Sequence, residues 1–133
     1  MLAHLNAVKA LLEPTGYTVY LIDAATTPTY PYVVLWSSAG MLVADTLDGI
    51  QDDLDELLGV TVAAATPEAV LTAVPLVRAA LLDAQPVVAG RYVQPLRFFD
   101  AVDVSVDRQV TMPNTNRHPA FAVDKYRLIS EPA

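Results

Sequence analysis

The feature that most constrains the fold is the apolar run at residues 28–36, which reads PTYPYVVLW. Each proline fixes its own φ angle and disfavours helical backbone in the residue before it, so the run is entered in extended geometry. The residues after Pro31 are β-branched, aromatic or large and aliphatic, and the run is too short for a typical helix. The pattern predicts a buried central strand over residues 32–37.

Composition indicates one domain with more apolar character than a small monomer hides easily. The chain has 133 residues, 53% of them hydrophobic, and no cysteine. We expect a single domain over residues 1–133 that buries part of its surplus by self-association. The lack of cysteine excludes disulfides and thiolate-bound metal. Neither a membrane-spanning apolar stretch nor a secretory leader pattern is visible, which predicts a protein made in the cytoplasm.

The net charge of −7 is distributed unevenly along the chain. Residues 1–77 hold one base against nine acids, whereas residues 78–133 hold seven bases against six acids. This asymmetry favours heterologous contacts between copies, although solvated surface charge accounts for it as well. Because phosphate contacts need clustered lysine and arginine, tight nucleic-acid binding is disfavoured.

Two helices are predicted. Leucines and one valine at helical spacing predict an amphipathic helix over residues 2–13. Thr66 followed by Pro67 is typical of an N-cap and a first helical residue, so a second helix should run from there to about residue 82. Pro75 lies inside this second helix and should kink it.

Strands are predicted on both sides of the second helix. The early strands cover residues 17–22, 32–37 and 57–65, and residues 39–56 form an acidic, irregular segment with at most a short strand at 41–43. Later, valines at 102, 104 and 106 alternate with polar residues, which predicts a half-exposed strand. A last strand covers residues 121–129, where the apolar phase shifts and predicts a bulge near Asp124 and Lys125. The fold class is therefore α/β or α+β, a sandwich in which two main helices cover a mixed sheet of about four or more strands.

No motif predicts catalysis, a metal site or a cofactor. Residues 45–56 begin with Asp and end with Glu, as a calcium-binding loop does, but Leu47 and Gly49 stand at ligand positions and Ile50 stands where glycine is required. The two histidines, His4 and His118, have no partner at metal-ligand spacing. We therefore expect no enzymatic activity, no metal and no cofactor, and we interpret residues 45–56 as a solvated acidic loop or a partner contact.

Three segments carry a resemblance to a known family. They are YPYVVL at residues 30–35, the strand-to-helix passage VTVAAATP at 60–67 leading to Val77 and Arg78, and DKYRL at 124–128. Together with the order of elements, they resemble the tail terminator proteins of long-tailed double-stranded-DNA bacteriophages, also called minor tail or head-to-tail connector proteins.

The resemblance implies a structural virion protein without catalytic residues. Six copies would form a ring at the phage neck that caps the tail tube, stops its growth and joins it to the head-completion proteins. Double-stranded DNA would pass through the lumen without specific binding, and no membrane would be involved. The alternatives are a small-molecule- or peptide-binding α/β domain of a bacterial host and an enzyme.

A ring of this kind needs two different patches that meet across neighbouring copies. The acidic segment and the late polar loop at residues 108–119 supply such patches, and some of the acids would instead face the channel and repel DNA. The candidate interface or lumen residues are Asp45, Asp48, Asp52, Asp53, Asp55, Glu56, Arg108 and Arg117.

Overall fold

The computed structural model describes residues 1–44, 47, 49–113 and 115–133, and within them the chain forms an α+β fold of two helices and a mixed sheet of seven strands. The helices are α1 (Leu2–Leu12) and α2 (Pro67–Leu81), and a short 3₁₀ turn, Glu13–Thr15, follows α1. The strands are β1 (Thr18–Leu21), β2 (Tyr32–Trp36), β3 (Leu42–Val43), β4 (Asp53–Ala64), β5 (Arg91–Val93), β6 (Arg97–Val106) and β7 (Ala120–Pro132).

The sheet is organised around the long antiparallel ribbon of β4 and β7. These two strands pair without interruption from Leu54 opposite Ser130 to Ala64 opposite Ala120. On one side of the ribbon β4 pairs with β2, and β1 adds to β2 in parallel. On the other side β7 pairs with β5 near its end and with β6 along most of its length. The two-residue strand β3 pairs with the start of β4.

Both helices pack on one face of this sheet. Alternate residues of the central strands, such as Leu35, Leu58 and Tyr126, are fully buried there against α1 and α2. Because fully burying one large aliphatic side chain contributes about 1.5–3 kcal/mol, this single interface holds most of the hydrophobic stabilisation. The expectation that helices cover the sheet therefore holds for one face.

The opposite face, called the open face below, is only half buried on β2. Tyr32, Val34 and Trp36 point to it. The Trp36 ring lies over Gly59 of the neighbouring strand, where an added Cβ would approach the ring to 2.1 Å. Its Nε1 donates a hydrogen bond to Thr61 Oγ1 at 3.0 Å. Glycine at position 59 thus makes room for the tryptophan.

The positions of the two predicted helices are confirmed. The helix predicted over residues 2–13 is α1, and Gly16 follows its 3₁₀ turn in the left-handed region at φ 76°. The capping signal at Thr66 is also confirmed, because Thr66 Oγ1 accepts a hydrogen bond from the Ala69 amide at 3.1 Å. The helix α2 continues through Pro75 to Leu81.

The early strands are predicted at the right positions, but β4 is longer than predicted. Strands predicted at residues 17–22, 32–37 and 41–43 appear as β1, β2 and β3. The strand predicted at 57–65 begins four residues earlier, at Asp53, so the prediction of irregular structure up to residue 56 is wrong. The acidic residues there fit a strand because each of Asp55 and Glu56 has a polar partner, as described below.

The predictions for the late strands need two corrections. The predicted bulge near Asp124 and Lys125 is wrong, because β7 alternates regularly and pairs continuously with β4 through this point. The irregularities lie instead in β6, between Phe98 and Asp100 and between Val102 and Ser105. The half-exposed strand predicted at residues 102–106 is present within β6, and Val104 packs against the core, but Val102 and Val106 are 48% and 37% exposed.

Candidate functional site

The described part of the acidic segment lies at one end of the β4–β7 ribbon. Asp52 precedes β4 and is exposed, and Asp53 is the first residue of β4 and is half buried. The Asp52 carbonyl accepts a hydrogen bond from Arg91 Nη2 at 2.8 Å. Asp45 and Asp48 lie outside the described residues.

Glu56 has a role inside the chain. Its side chain is on the helix-bearing face and is only 8% exposed. Its Oε2 accepts hydrogen bonds from Ser38 Oγ and from the Met41 amide, the latter at 2.9 Å. Glu56 therefore fixes the loop between β2 and β3 to the start of β4.

Asp55 also has a partner in the same chain. It lies on the open face, where Arg127 of β7 donates two hydrogen bonds to its carboxylate at 3.0 and 2.6 Å. These hydrogen bonds, together with the positive charge of Arg127, hold the pKa of Asp55 below its ordinary value. Because Arg127 is half exposed, solvent screens the pair and it adds little to stability.

The late loop lies at the other end of the ribbon. It connects β6 to β7 and is stabilised by two backbone hydrogen bonds. The Asp107 amide donates to the Pro119 carbonyl at 2.9 Å, and the Met112 amide donates to the Arg117 carbonyl at 3.0 Å. Arg108 and Arg117 are both exposed. Leu54 and Ala64 bound the ribbon, so the acidic end and the arginine end are separated by ten strand residues, or about 33 Å. The two patches therefore lie at opposite ends of the ribbon.

Between the two ends, β6 and α2 expose a band of apolar side chains. Leu71 of α2 is 62% exposed and lies beside Val102 of β6, and β6 also exposes Phe98, Phe99 and Val106. The outer edge of β6 pairs with no strand in the described part of the chain. This band is the structural form of the apolar surplus seen in the composition.

An ion pair that sequence reasoning missed joins α2 to the sheet beneath this band. Arg78 donates from Nε and Nη2 to the two carboxylate oxygens of Asp124 at 2.7 and 2.8 Å. Its guanidinium lies 5.0 Å from the centre of the Phe98 ring. Asp124 is only 4% exposed. The sequence offers one signal for this ion pair. Asp124 shares the alternate positions of β7 with Ala122 and Tyr126, which are buried, and a buried carboxylate needs a partner.

A cleft of about 500 Å³ lies on the open face at the arginine end of the ribbon. Its floor is formed by side chains of β2, β4 and β7, and its walls by the loop after β1 and by the start of the late loop. Sequence reasoning missed this cleft too, although the PTYPY segment that opens β2 supplies part of it.

The histidines have structural partners. His4 Nε2 is hydrogen-bonded to Ser130 Oγ at 2.9 Å, and burial lowers the pKa of His4. His118 Nδ1 donates to the Val110 carbonyl at 2.7 Å within the late loop. Among the described residues, no group of three or more His, Cys, Asp and Glu side chains is arranged to hold a metal ion. None of the described helices is long and apolar enough to cross a bilayer.

Comparisons with known proteins give a match of fold. No protein-family model and no curated protein matches the chain. A solved structure of the virion of a native gene transfer agent particle contains a chain of similar fold, with a TM-score of 0.58 and 16% identity. The match covers 95% of this chain and 90% of that chain. At this identity the similarity shows a shared fold over nearly the whole length of both chains.

Proposed function

We propose that this protein is a structural virion component that forms a homo-hexameric ring at a phage neck. The ring caps the tail tube, ends its elongation and joins the tail to the head-completion protein. The observation that carries the proposal is the near full-length fold match to a chain of a gene transfer agent virion. The resemblance of residues 30–35, 60–67 and 124–128 to tail terminators supports it independently.

The surface of the chain is suited to such a ring. An acidic end and an arginine end lie at opposite ends of the β4–β7 ribbon, and an exposed apolar band lies on β6 and α2. Repeated head-to-tail contact closes into a ring when the rotation between copies fits. Apolar burial would supply most of the affinity, while the exposed charges would set register and association rate.

The available acids are fewer than the sequence indicates. Because Glu56 and Asp55 have partners in their own chain, the proposed contact uses Asp52 and Asp53, with Asp45 and Asp48 lying outside the described residues. The arginines are Arg108 and Arg117. Acids that are not matched to an arginine would line the lumen and repel the DNA that passes through it. The proposal assigns the protein no enzymatic activity.

The test is a double charge reversal, Arg108→Glu with Arg117→Glu, measured by native mass spectrometry, negative-stain imaging and joining of purified tails to heads. We expect weaker ring formation and slower joining. The defect should be smaller at high salt than at low salt, because salt screens the exposed charges. The matched control is Lys9→Glu with Lys125→Glu, which changes the net charge equally at positions outside the late loop, β6 and α2. Normal rings and joining in the double variant would remove the late loop from the interface. A wild-type protein that stays monomeric alone and with tail tubes would refute the ring itself.

The alternative function is that of a host domain that binds a small molecule or a peptide. The cleft of about 500 Å³ on the open face is the observation that favours it. It predicts a monomer that is stabilised by its ligand and does not assemble with tail tubes. The same native mass measurement separates the two functions.

A further inference from the structure

The cleft on the open face has a half-buried floor that combines aliphatic and aromatic side chains. Val34 of β2, Thr61 of β4 and Phe121 of β7 form this floor, and Tyr32 stands at its edge. These residues are neighbours across three strands, because Tyr32 pairs with Ala63 and Ala63 pairs with Phe121. The cleft is therefore built on the rigid sheet.

Tyrosine rings form one side of the cleft. Tyr30 and Tyr32 lie with ring centres 5.4 Å apart and planes tilted by 44°. Tyr20 packs edge-on against Tyr32 with ring centres 5.7 Å apart, which helps to fix the Tyr32 ring. Tyr30 and Asp107 both line the cleft. Burial raises the pKa of Tyr30, and the negative charge of Asp107 raises it further.

The charges that line the cleft are negative. Asp23 and Asp107 are its two ionisable carboxylates, and no lysine or arginine lines it within the described ranges. Asp107 is held in place because one carboxylate oxygen, Oδ1, accepts a hydrogen bond from the Gln109 amide at 3.1 Å. The arginines Arg78 and Arg127 are already paired with carboxylates elsewhere in the chain.

We propose that this cleft binds a cationic side chain, an arginine or a lysine, presented by a partner protein. Aromatic faces attract a cation through the ring quadrupole, and a carboxylate beside them adds a charge-assisted hydrogen bond. The aliphatic floor suits the apolar stem of such a side chain. A bare metal ion fits less well, because calcium takes six to eight oxygen ligands and this lining offers two carboxylates among apolar groups.

The preference for a cation stands on the cleft alone, whereas the identification of the donor as another virion protein rests on the proposed function. The cleft is also distinct from the proposed acidic patch, because it lies at the arginine end of the β4–β7 ribbon. The exposed Arg108 and Arg117 of the same end would then flank an acidic, aromatic recess. A partner that fits this end carries one protruding basic side chain, and the surface around that side chain is not itself basic.

The experiment titrates the full chain with N-acetyl-arginine amide while amide chemical shifts are recorded by NMR. The control ligand is N-acetyl-citrulline amide, which has nearly the same shape and no charge. We expect the arginine derivative to shift amides around Tyr30, Asp107 and Phe121 with a dissociation constant on the order of millimolar, as befits a single side chain. The citrulline derivative should bind at least about threefold more weakly, the ratio expected for one exposed charge interaction.

Matched variants locate the binding site. Asp107→Asn keeps the Oδ1 acceptor for Gln109 and removes the charge, and it should weaken arginine binding at least about threefold. Asp103→Asn removes an exposed carboxylate from β6 outside the cleft and should leave the titration unchanged. Shifts of equal size with both ligands, shifts outside the cleft, or an equal effect of the two variants would overturn the proposal. Because this assay uses the isolated chain, its outcome is independent of whether rings form.

Discussion

Gly59→Ala tests how tightly Trp36 is fixed to the open face. The added Cβ would lie 2.1 Å from the Trp36 ring, so the ring must move. The backbone of Gly59 is not in the left-handed region, and the change itself would otherwise favour the strand by about 0.5–1 kcal/mol. Overpacking of this kind costs about 1–3 kcal/mol, so we expect a net loss of about 1–2 kcal/mol.

The matched variant is Trp36→Ala. A fully buried tryptophan costs about 3–5 kcal/mol when truncated, but Trp36 is half buried, so a loss of about 2 kcal/mol is expected. In the Trp36→Ala background the Gly59→Ala change should become neutral or stabilising, because the ring it would strike is gone. Urea denaturation of the four proteins in the cycle gives the coupling energy directly. Equal costs of Gly59→Ala with and without Trp36 would refute the proposed contact.

Two further predictions concern the helix-bearing face. Arg78→Met should lower the free energy of unfolding, measured by urea denaturation, by about 2–3 kcal/mol, because it leaves the buried carboxylate of Asp124 unpaired. Arg78→Met with Asp124→Leu should recover most of this loss. A double variant no more stable than the single variant would contradict the reasoning. For His4, burial lowers the pKa below 6.5, so below about pH 6.5 the unfolded chain binds a proton that the folded chain does not. Stability should therefore fall as the pH drops from about 7 to 5, and His4→Gln should flatten this part of the profile; an unchanged slope in the variant would exclude His4 as the group responsible.

Local patterns were enough to predict most of the elements. The spacing of leucines in α1, the Thr66 cap of α2 and the β-branched run of β2 each act within a few residues, and all three elements are where they were predicted. The run of β2 was predicted to be a buried central strand, but one of its faces is only half buried. Apolar alternation also located most of β7. These signals are properties of single elements, so they can be recognised without knowing what packs against them.

The errors arose where a polar residue depends on a partner distant in sequence. Asp55 and Glu56 read as loop residues, yet Arg127 and the Ser38–Met41 loop let them lie in a strand. Asp124 interrupts the apolar alternation of β7, and this interruption suggested a bulge. Its partner Arg78 is 46 residues away, so the local pattern did not reveal the ion pair that lets a carboxylate lie at this position. The cleft depends on three strands that meet only in the folded chain, so no spacing in the sequence could have indicated it.

The apolar band on β6 raises the question of how neighbouring copies would meet along it. A free strand edge with exposed aromatic residues can pair with another strand, but this edge carries devices that oppose such pairing. Asp100 and Asp103 place charge along it, and β6 is irregular between Phe98 and Asp100 and between Val102 and Ser105. We therefore expect neighbouring copies to dock through the side chains of β6 and α2 rather than by adding a strand.

Hydrogen exchange distinguishes these two modes of contact. Docking through side chains should leave the outward-pointing amides of β6 exchanging rapidly in the assembled ring, while Phe99→Ser weakens assembly through lost apolar burial. Strand addition would instead protect those amides on assembly, because each would gain a main-chain hydrogen bond across the interface. Strong new protection of alternate β6 amides in the ring, together with normal assembly of Phe99→Ser, would refute side-chain docking and show that the irregularities of β6 do not prevent strand pairing.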